Sequence, residues 1–134
     1  MSSGYTKSIR ALIEAFRLLP GVGEKTAARY AFAMLKKPEA AASLGQTLSS
    51  VVSVTKRCSV CHAYAETNPC GICTDRKRDH TVICVIARDQ DYSAFEAASI
   101  FSGIYHILGG VLSPMNNIGP EVLTIRSLIE RIEA

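Results

Sequence analysis

Apolar positions recur at helical spacing through the first third of the chain. Ile9, Leu12, Ile13, Phe16 and Leu19 fall on one face of a helix over residues 7–19. Pro20 and Gly21 stop it, Gly23 ends a tight turn, and a second helix starts near Glu24 with Ala27, Tyr30, Ala31, Met34 and Leu35 on its inner face. Lys36-Lys37-Pro38 breaks that helix. Pro38 suits the first turn of a third, where its missing N–H costs nothing, and Leu44, Leu48, Val51 and Val52 give that helix an apolar face. The pattern changes at residue 56. Residues 57–80 are polar, rich in cysteine and short of core formers. Residues 81–87, TVICVIA, form a β-branched run of the kind expected for a strand buried on both faces. A helix is expected over residues 92–100, a second strand over 104–108 ended by Gly109-Gly110, and a Pro/Gly loop over 113–120. Residues 121–132 are amphipathic, with Leu123, Leu128, Ile129 and Ile132 apolar. Strand, helix, strand and helix in this order predict a parallel α/β unit.

Composition sharpens this picture in three ways. With no Trp, five Tyr and four Phe, the core is built from aliphatic side chains, and 48% apolar residues suffice for one. No apolar run approaches the roughly 20 residues of a membrane helix, and MSSGYTKSIR lacks the apolar middle of a signal peptide. The expectation is a cytoplasmic protein without a membrane partner. In a reducing cytosol its five cysteines are better read as metal ligands than as disulfides. The net charge of +3 hides an asymmetry: residues 1–81 carry +6 and residues 82–134 carry −3. The first part can attract a polyanion, although ordinary solvated charge fits the same numbers.

Cys58, Cys61, Cys70 and Cys73 spell C-x2-C-x8-C-x2-C. Two such knuckles complete a closed tetrahedral S4 site, which suits one structural zinc ion and leaves no open position for a substrate. An iron–sulfur cluster or redox dithiols are the alternatives. His62 and His80 flank the module and read as surface residues, and Cys84 reads as a small hydrophobe in the strand.

The turn Leu19-Pro20-Gly21-Val22-Gly23 feeds a helix whose free N–H groups and positive dipole end favour a phosphate. Lys25 and Arg29, four apart, share one face of that helix. Gly21, Gly23, Lys25 and Arg29 are thus candidate contacts to a nucleic-acid backbone, without base reading and without a set preference for single or double strands. A plain helix–helix corner fits the same spacing.

In combination these segments resemble the RecR family of bacterial recombination mediators. LPGVGEKTAARYAF is similar to that family's helix-hairpin-helix. CSVCHAYAETNPCGICTDRKRD is similar to its zinc finger, and GIYHILGG, LSP and IGPE resemble segments of its Toprim domain. The resemblance implies an α+β fold: a helix-hairpin-helix DNA-binding region over residues 1–55, a small C4 zinc finger over 56–80, and an incomplete α/β Toprim-like domain with a parallel sheet over 81–134. It implies one structural Zn2+ per chain and DNA contact through Lys25 and Arg29. It further implies partnership with RecO and possibly RecF in helping to load RecA onto single-stranded DNA, dimers or tetramers of the chain, and a nucleoid-associated role in recombinational repair that is not enzymatic.

Two departures from the family pattern carry consequences. The first Toprim strand of the family runs into a glutamate, whereas Val85-Ile86-Ala87 stands here, with Asp89, Asp91 and Glu96 nearby. Family members also continue for roughly a third of their length beyond this point, so a fragment is expected, with a natural shortened product of reduced function as the alternative. A catalytic Toprim enzyme would need clustered carboxylates for Mg2+, and a zinc protein aimed at another protein would not need the basic turn.

Overall fold

The computed structural model describes residues 4–134, which divide into two compact units, the first ending at Val51 and the second running from Val52 to Ala134. Mixed helices and strands make an α+β chain of six α-helices and four strands among the described residues.

The first unit is a helical hairpin. Helix α1 (Lys7–Arg17) is capped by Thr6, whose side-chain oxygen accepts from the Ile9 N–H at 3.3 Å. Helix α2 (Glu24–Lys36) packs on it through small residues: Ala27 and Ala31 are fully buried against Ile13, with Ile9, Leu12, Phe16 and Val22 around them. Alanine at both positions lets the helices approach closely, and an edge-on contact of Phe16 with Tyr30, 5.7 Å between ring centres, closes the side of the pair. Helix α3 (Pro38–Val54) begins at the expected proline, but it buries none of its residues: Leu44, Leu48 and Val51 are 41%, 59% and 54% exposed.

The second unit starts with two short antiparallel strands, β1 (Lys56–Arg57) and β2 (Tyr64–Ala65), followed by a single helical turn α4 (Gly71–Thr74). Strand β3 (Asp79–Ile86) then pairs in parallel with β4 (Gly103–Ile107), in register from Ile83 opposite Ile104 to Ile86 opposite Ile107. Helix α5 (Asp89–Ala97) makes the crossover and α6 (Ile125–Glu133) ends the chain. The parallel sheet has two strands among the described residues, and burial is uneven between them. Every residue of β4 is buried, whereas Val82 and Val85 of β3 are nearly half exposed. The expected burial of the β-branched run on both faces is thus not met, because β4 is the one strand that pairs with β3 among the described residues. Helix α5 starts three residues before the expected position, since Asp89 and Asp91 suit a helix N-terminus. Helix α6 starts later than the amphipathic pattern suggests. Residues 121–124 form a turn instead, and Thr124 uses its backbone N–H to donate to the Leu108 carbonyl at 3.1 Å.

The metal knuckles and the sheet share one core. Cys58, Cys61, Ala63 and Cys70 pack with Ile86, Tyr105 and Ile107, and Tyr92, Phe101 and Cys84 line its edge. The Ile107 N–H donates to the Cys61 carbonyl at 2.8 Å, so the end of β4 is hydrogen-bonded to the first knuckle.

Candidate metal centre and nucleic-acid interface

The four cysteines of the C-x2-C-x8-C-x2-C pattern converge. Their sulfurs all lie within 4.8 Å of one another; Cys58, Cys61 and Cys70 are buried and Cys73 half-buried. Local backbone geometry brings this about. In the first knuckle the Cys58 N–H donates to the Ala63 carbonyl at 2.8 Å and the His62 N–H to the Cys58 carbonyl at 2.9 Å, with His62 in the left-handed region at φ 65°. In the second, Cys70 caps α4 by accepting from the Cys73 N–H at 3.5 Å, while its own N–H donates to Cys58 Sγ at 3.3 Å. N–H groups therefore point at sulfurs, which stabilises thiolates.

The donor set fits a soft divalent cation. The Cys58–Cys73 and Cys61–Cys70 sulfurs are 3.9 and 3.6 Å apart. A tetrahedron with Zn–S bonds near 2.3 Å has edges of about 3.8 Å, whereas a disulfide needs about 2.05 Å. Charge leads to the same conclusion. A thiol hydrogen bond from Cys73, with help from Ala63, Cys70 and Cys58, outweighs burial and brings Cys61 down to about 5. Burial and the negative charge on Cys61 push Cys70 up, and its hydrogen bond to Cys61 and burial push Cys73 up. Without a cation the cluster resists collecting thiolates; a bound divalent ion removes that resistance.

Around the knuckles lies a polar girdle that local sequence reading does not anticipate. His62, expected at the surface, is half-buried: its Nε2 is 2.7 Å from Ser127 Oγ on α6, and its ring meets His106 edge-on at 5.2 Å. His106 is fully buried, its Nε2–H directed at the Thr124 carbonyl at 3.0 Å and its Nδ1 accepting from Arg131 at 3.3 Å. Burial holds both imidazoles below their ordinary pKa, hence neutral at pH 7. His80, by contrast, is exposed as expected. Arg57 of β1 reaches Asp89 at 2.5 Å and stacks on Tyr64.

The acids near the end of β3 do not form a cluster. Asp89 pairs with Arg57, Asp91 with Arg88 at 3.0 Å, and Glu96 with both Arg78 and the Tyr105 hydroxyl. Three carboxylates thus face three different arginines, and among the described residues the cysteines are the one group of metal-ligating side chains that converges.

In the first unit, Gly21 sits at φ +78°, a left-handed turn that a side chain resists. Gly23, at φ −86°, caps α2, and a Cβ there would meet nothing within 4 Å. Neither strain nor packing inside the chain requires Gly23. Lys25 and Arg29 follow on the first two turns of α2, both exposed and, among the described residues, neither ion-paired. Glu24 stands beside them in the first turn.

A helical hairpin with a basic glycine turn, followed by a four-cysteine knuckle pair built into a parallel α/β unit, defines a modular zinc-finger protein of the α+β class. Comparison with known proteins gives the particular family. Residues 9–52 match the family described as RecR, helix-hairpin-helix; residues 55–75 match the RecR zinc finger domain of four cysteines; residues 81–132 match the Toprim domain. The chain is 45% identical over 129 residues to a Recombination protein RecR of Desulforudis audaxviator, covering 96% of this chain and 65% of that protein. It is 43% identical over 130 residues to that of Pelotomaculum thermopropionicum (96% and 65%), and 41% identical over 134 residues to that of Bifidobacterium longum subsp. infantis (99% and 67%). The chain belongs to the RecR family, has that family's C4 zinc finger, and spans about two thirds of the length of the curated relatives it matches.

Proposed function

We propose that this chain acts in recombinational DNA repair in the bacterial cytoplasm, at the nucleoid, as a DNA-binding mediator and not as an enzyme. The observation that carries the reading is the glycine turn with two cations at the start of α2 that have no ion-pair partner among the described residues: Gly21 and Gly23 admit a phosphate to the helix N-terminus, and Lys25 and Arg29 hold the next ones. Cys58, Cys61, Cys70 and Cys73 hold one zinc ion, whose role is to fold a segment with few core residues of its own. The three modules are residues 1–55, 56–80 and 81–134. The α/β unit serves as a surface for assembly and for partners of the RecO and RecF kind, through which RecA is loaded onto single-stranded DNA. The separate pairing of Asp89, Asp91 and Glu96 favours this over Mg2+-dependent catalysis. The apolar face of α3 supports homo-oligomers, dimers or tetramers.

The test is a salt titration of oligonucleotide binding. Lys25→Ala with Arg29→Ala weakens binding about equally for all sequences and lowers the slope of log affinity against log salt by about two. Unchanged affinity and slope in the double variant would remove the hairpin from the DNA surface.

A further inference from the structure

The zinc-finger ribbon holds an aromatic ring in a manner that packing does not explain. Tyr64, on β2, is 59% exposed, belongs to neither apolar core, and makes no contact with another ring among the described residues. Its cross-strand partner is Arg57, whose guanidinium carbon lies 3.7 Å from the ring centre. That guanidinium is itself fixed. Nη1 donates to the His62 carbonyl at 2.8 Å and to Asp89 Oδ1 at 2.5 Å, and Nη2 donates to Asp89 Oδ2 at 3.4 Å. The zinc knuckle and α5 together therefore clamp a cation over one face of a ring in a residue that stays more than half exposed.

Such a clamp costs ordering of a long side chain and an aromatic one, and it buries little apolar surface in return. Asp89 largely compensates the Arg57 charge, so the arginine orients the ring more than it attracts an anion. Next along β1, Lys56 is exposed and has no acidic partner among the described residues. We infer that the open face of Tyr64 is a stacking platform for an unpaired base of single-stranded nucleic acid, with Lys56 placed for the adjoining phosphate. A base inside a duplex is covered on both faces by its neighbours, so this platform selects single strands, a preference that backbone contacts at the hairpin do not supply. Because the ring is held in place beforehand, stacking loses little further freedom on binding. The inference rests on the nucleic-acid reading of the hairpin and adds to it a second contact and a strand preference.

The sequence has no tryptophan, so Tyr64→Trp places a single reporter on the platform. The zinc-loaded chain is titrated with oligo(dT) and with a duplex of equal length. Saturable quenching by oligo(dT) and little by the duplex is expected. Tyr64→Ala lowers oligo(dT) affinity about 5- to 150-fold, Tyr64→Phe retains it, and duplex affinity stays within about twofold. An unquenched tryptophan in the Tyr64→Trp protein overturns the inference whatever the Ala variant does. So does wild-type oligo(dT) affinity in a Tyr64→Ala protein with full zinc content, including the case in which the ring serves a protein partner instead. Lys25→Ala with Arg29→Ala is run alongside. If it loses affinity for both probes while Tyr64→Ala loses none, the platform fails and the hairpin reading stands. If neither variant changes anything, both fail.

Discussion

Arg57 and Asp89, 32 residues apart, meet at 2.5 Å and join the zinc-finger ribbon to the first turn of α5. The contact settles what the carboxylate following β3 does. Both its oxygens are engaged by one guanidinium, at a helix N-terminus where negative charge is favoured. Asp89 is the nearest acid after the end of β3, and it is used as a clasp.

Asp89→Asn tests the clasp. The pair is partly exposed, with side chains at 42% and 31%, so solvent screening limits its worth to on the order of 1 kcal/mol or less. Urea unfolding followed by far-UV circular dichroism reads the loss, which shrinks as salt rises. A second variant, Asp89→Ala, addresses catalysis. No Mg2+-dependent cleavage or relaxation of DNA is expected from the parent chain, and such an activity that vanished on Asp89→Ala would replace the mediator reading with an enzymatic one.

The two turn glycines are predicted to behave differently. Gly21→Ala forces a side chain into the left-handed region at φ +78° and destabilises the hairpin by about 1–2 kcal/mol. Gly23→Ala meets no such strain, and an added Cβ has open space. Its stability stays within about 0.5 kcal/mol of the parent, but on the proposed reading, in which a phosphate backbone approaches the turn, DNA affinity falls. Thermal melts and anisotropy titrations on the same samples separate the two effects. A Gly23→Ala protein with full affinity would mean that the turn is a helix corner and nothing more.

Zinc loading is predicted to release protons. At pH 7 the metal-free cluster keeps Cys70 and Cys73 protonated, because burial raises Cys70 and the hydrogen bond to Cys61, together with burial, raises Cys73, while Cys61 at about 5 is already ionised. Binding of zinc expels the protons from Cys70 and Cys73. Calorimetry in buffers of different ionisation enthalpy counts them, and a buffer-independent enthalpy would contradict this charge state. Cys58→Ser loses the metal. The damage extends past residue 80 to β4, because Cys58 packs in one core with Ile86, Tyr105 and Ile107. Hydrogen exchange should rise over residues 56–107 and stay slow in the hairpin core of Ile13, Ala27 and Ala31.

What the sequence reveals and what it hides follow from the range of the forces involved. The C-x2-C pairs are legible because a knuckle is a local backbone shape closed by hydrogen bonds within six residues. Helices α1 and α2 are legible because their apolar period and their glycine turn are local too. His62 reads as a surface residue since its partners, Ser127 and His106, lie 65 and 44 positions away in the chain, and no spacing rule connects them. The clamp of Arg57 on Tyr64 escapes for the same reason, as it depends on Asp89. Val82 and Val85 are expected inside because β-branched runs fill central strands. Their exposure is a matter of how many neighbours β3 has, which strand propensity does not encode.

Helix α3 supports a final prediction. Leu44, Leu48 and Val51 follow one another at spacings of four and three, so they form a single stripe, and all are exposed. None of them contributes to the core of Ile13, Ala27 and Ala31. Leu48→Lys with Val51→Lys therefore changes hairpin stability by about 0.5 kcal/mol or less. If copies of the chain associate through this stripe, two lysines placed on it repel their counterparts and dissociate the assembly. Light scattering on a sizing column, with zinc-loaded protein at several concentrations, gives the answer. A parent dimer or tetramer that becomes a monomer in the double variant puts α3 at the interface. A parent assembly that survives the substitution places self-association on another surface, and a parent that is already monomeric removes the homo-oligomer from the proposed function of this chain.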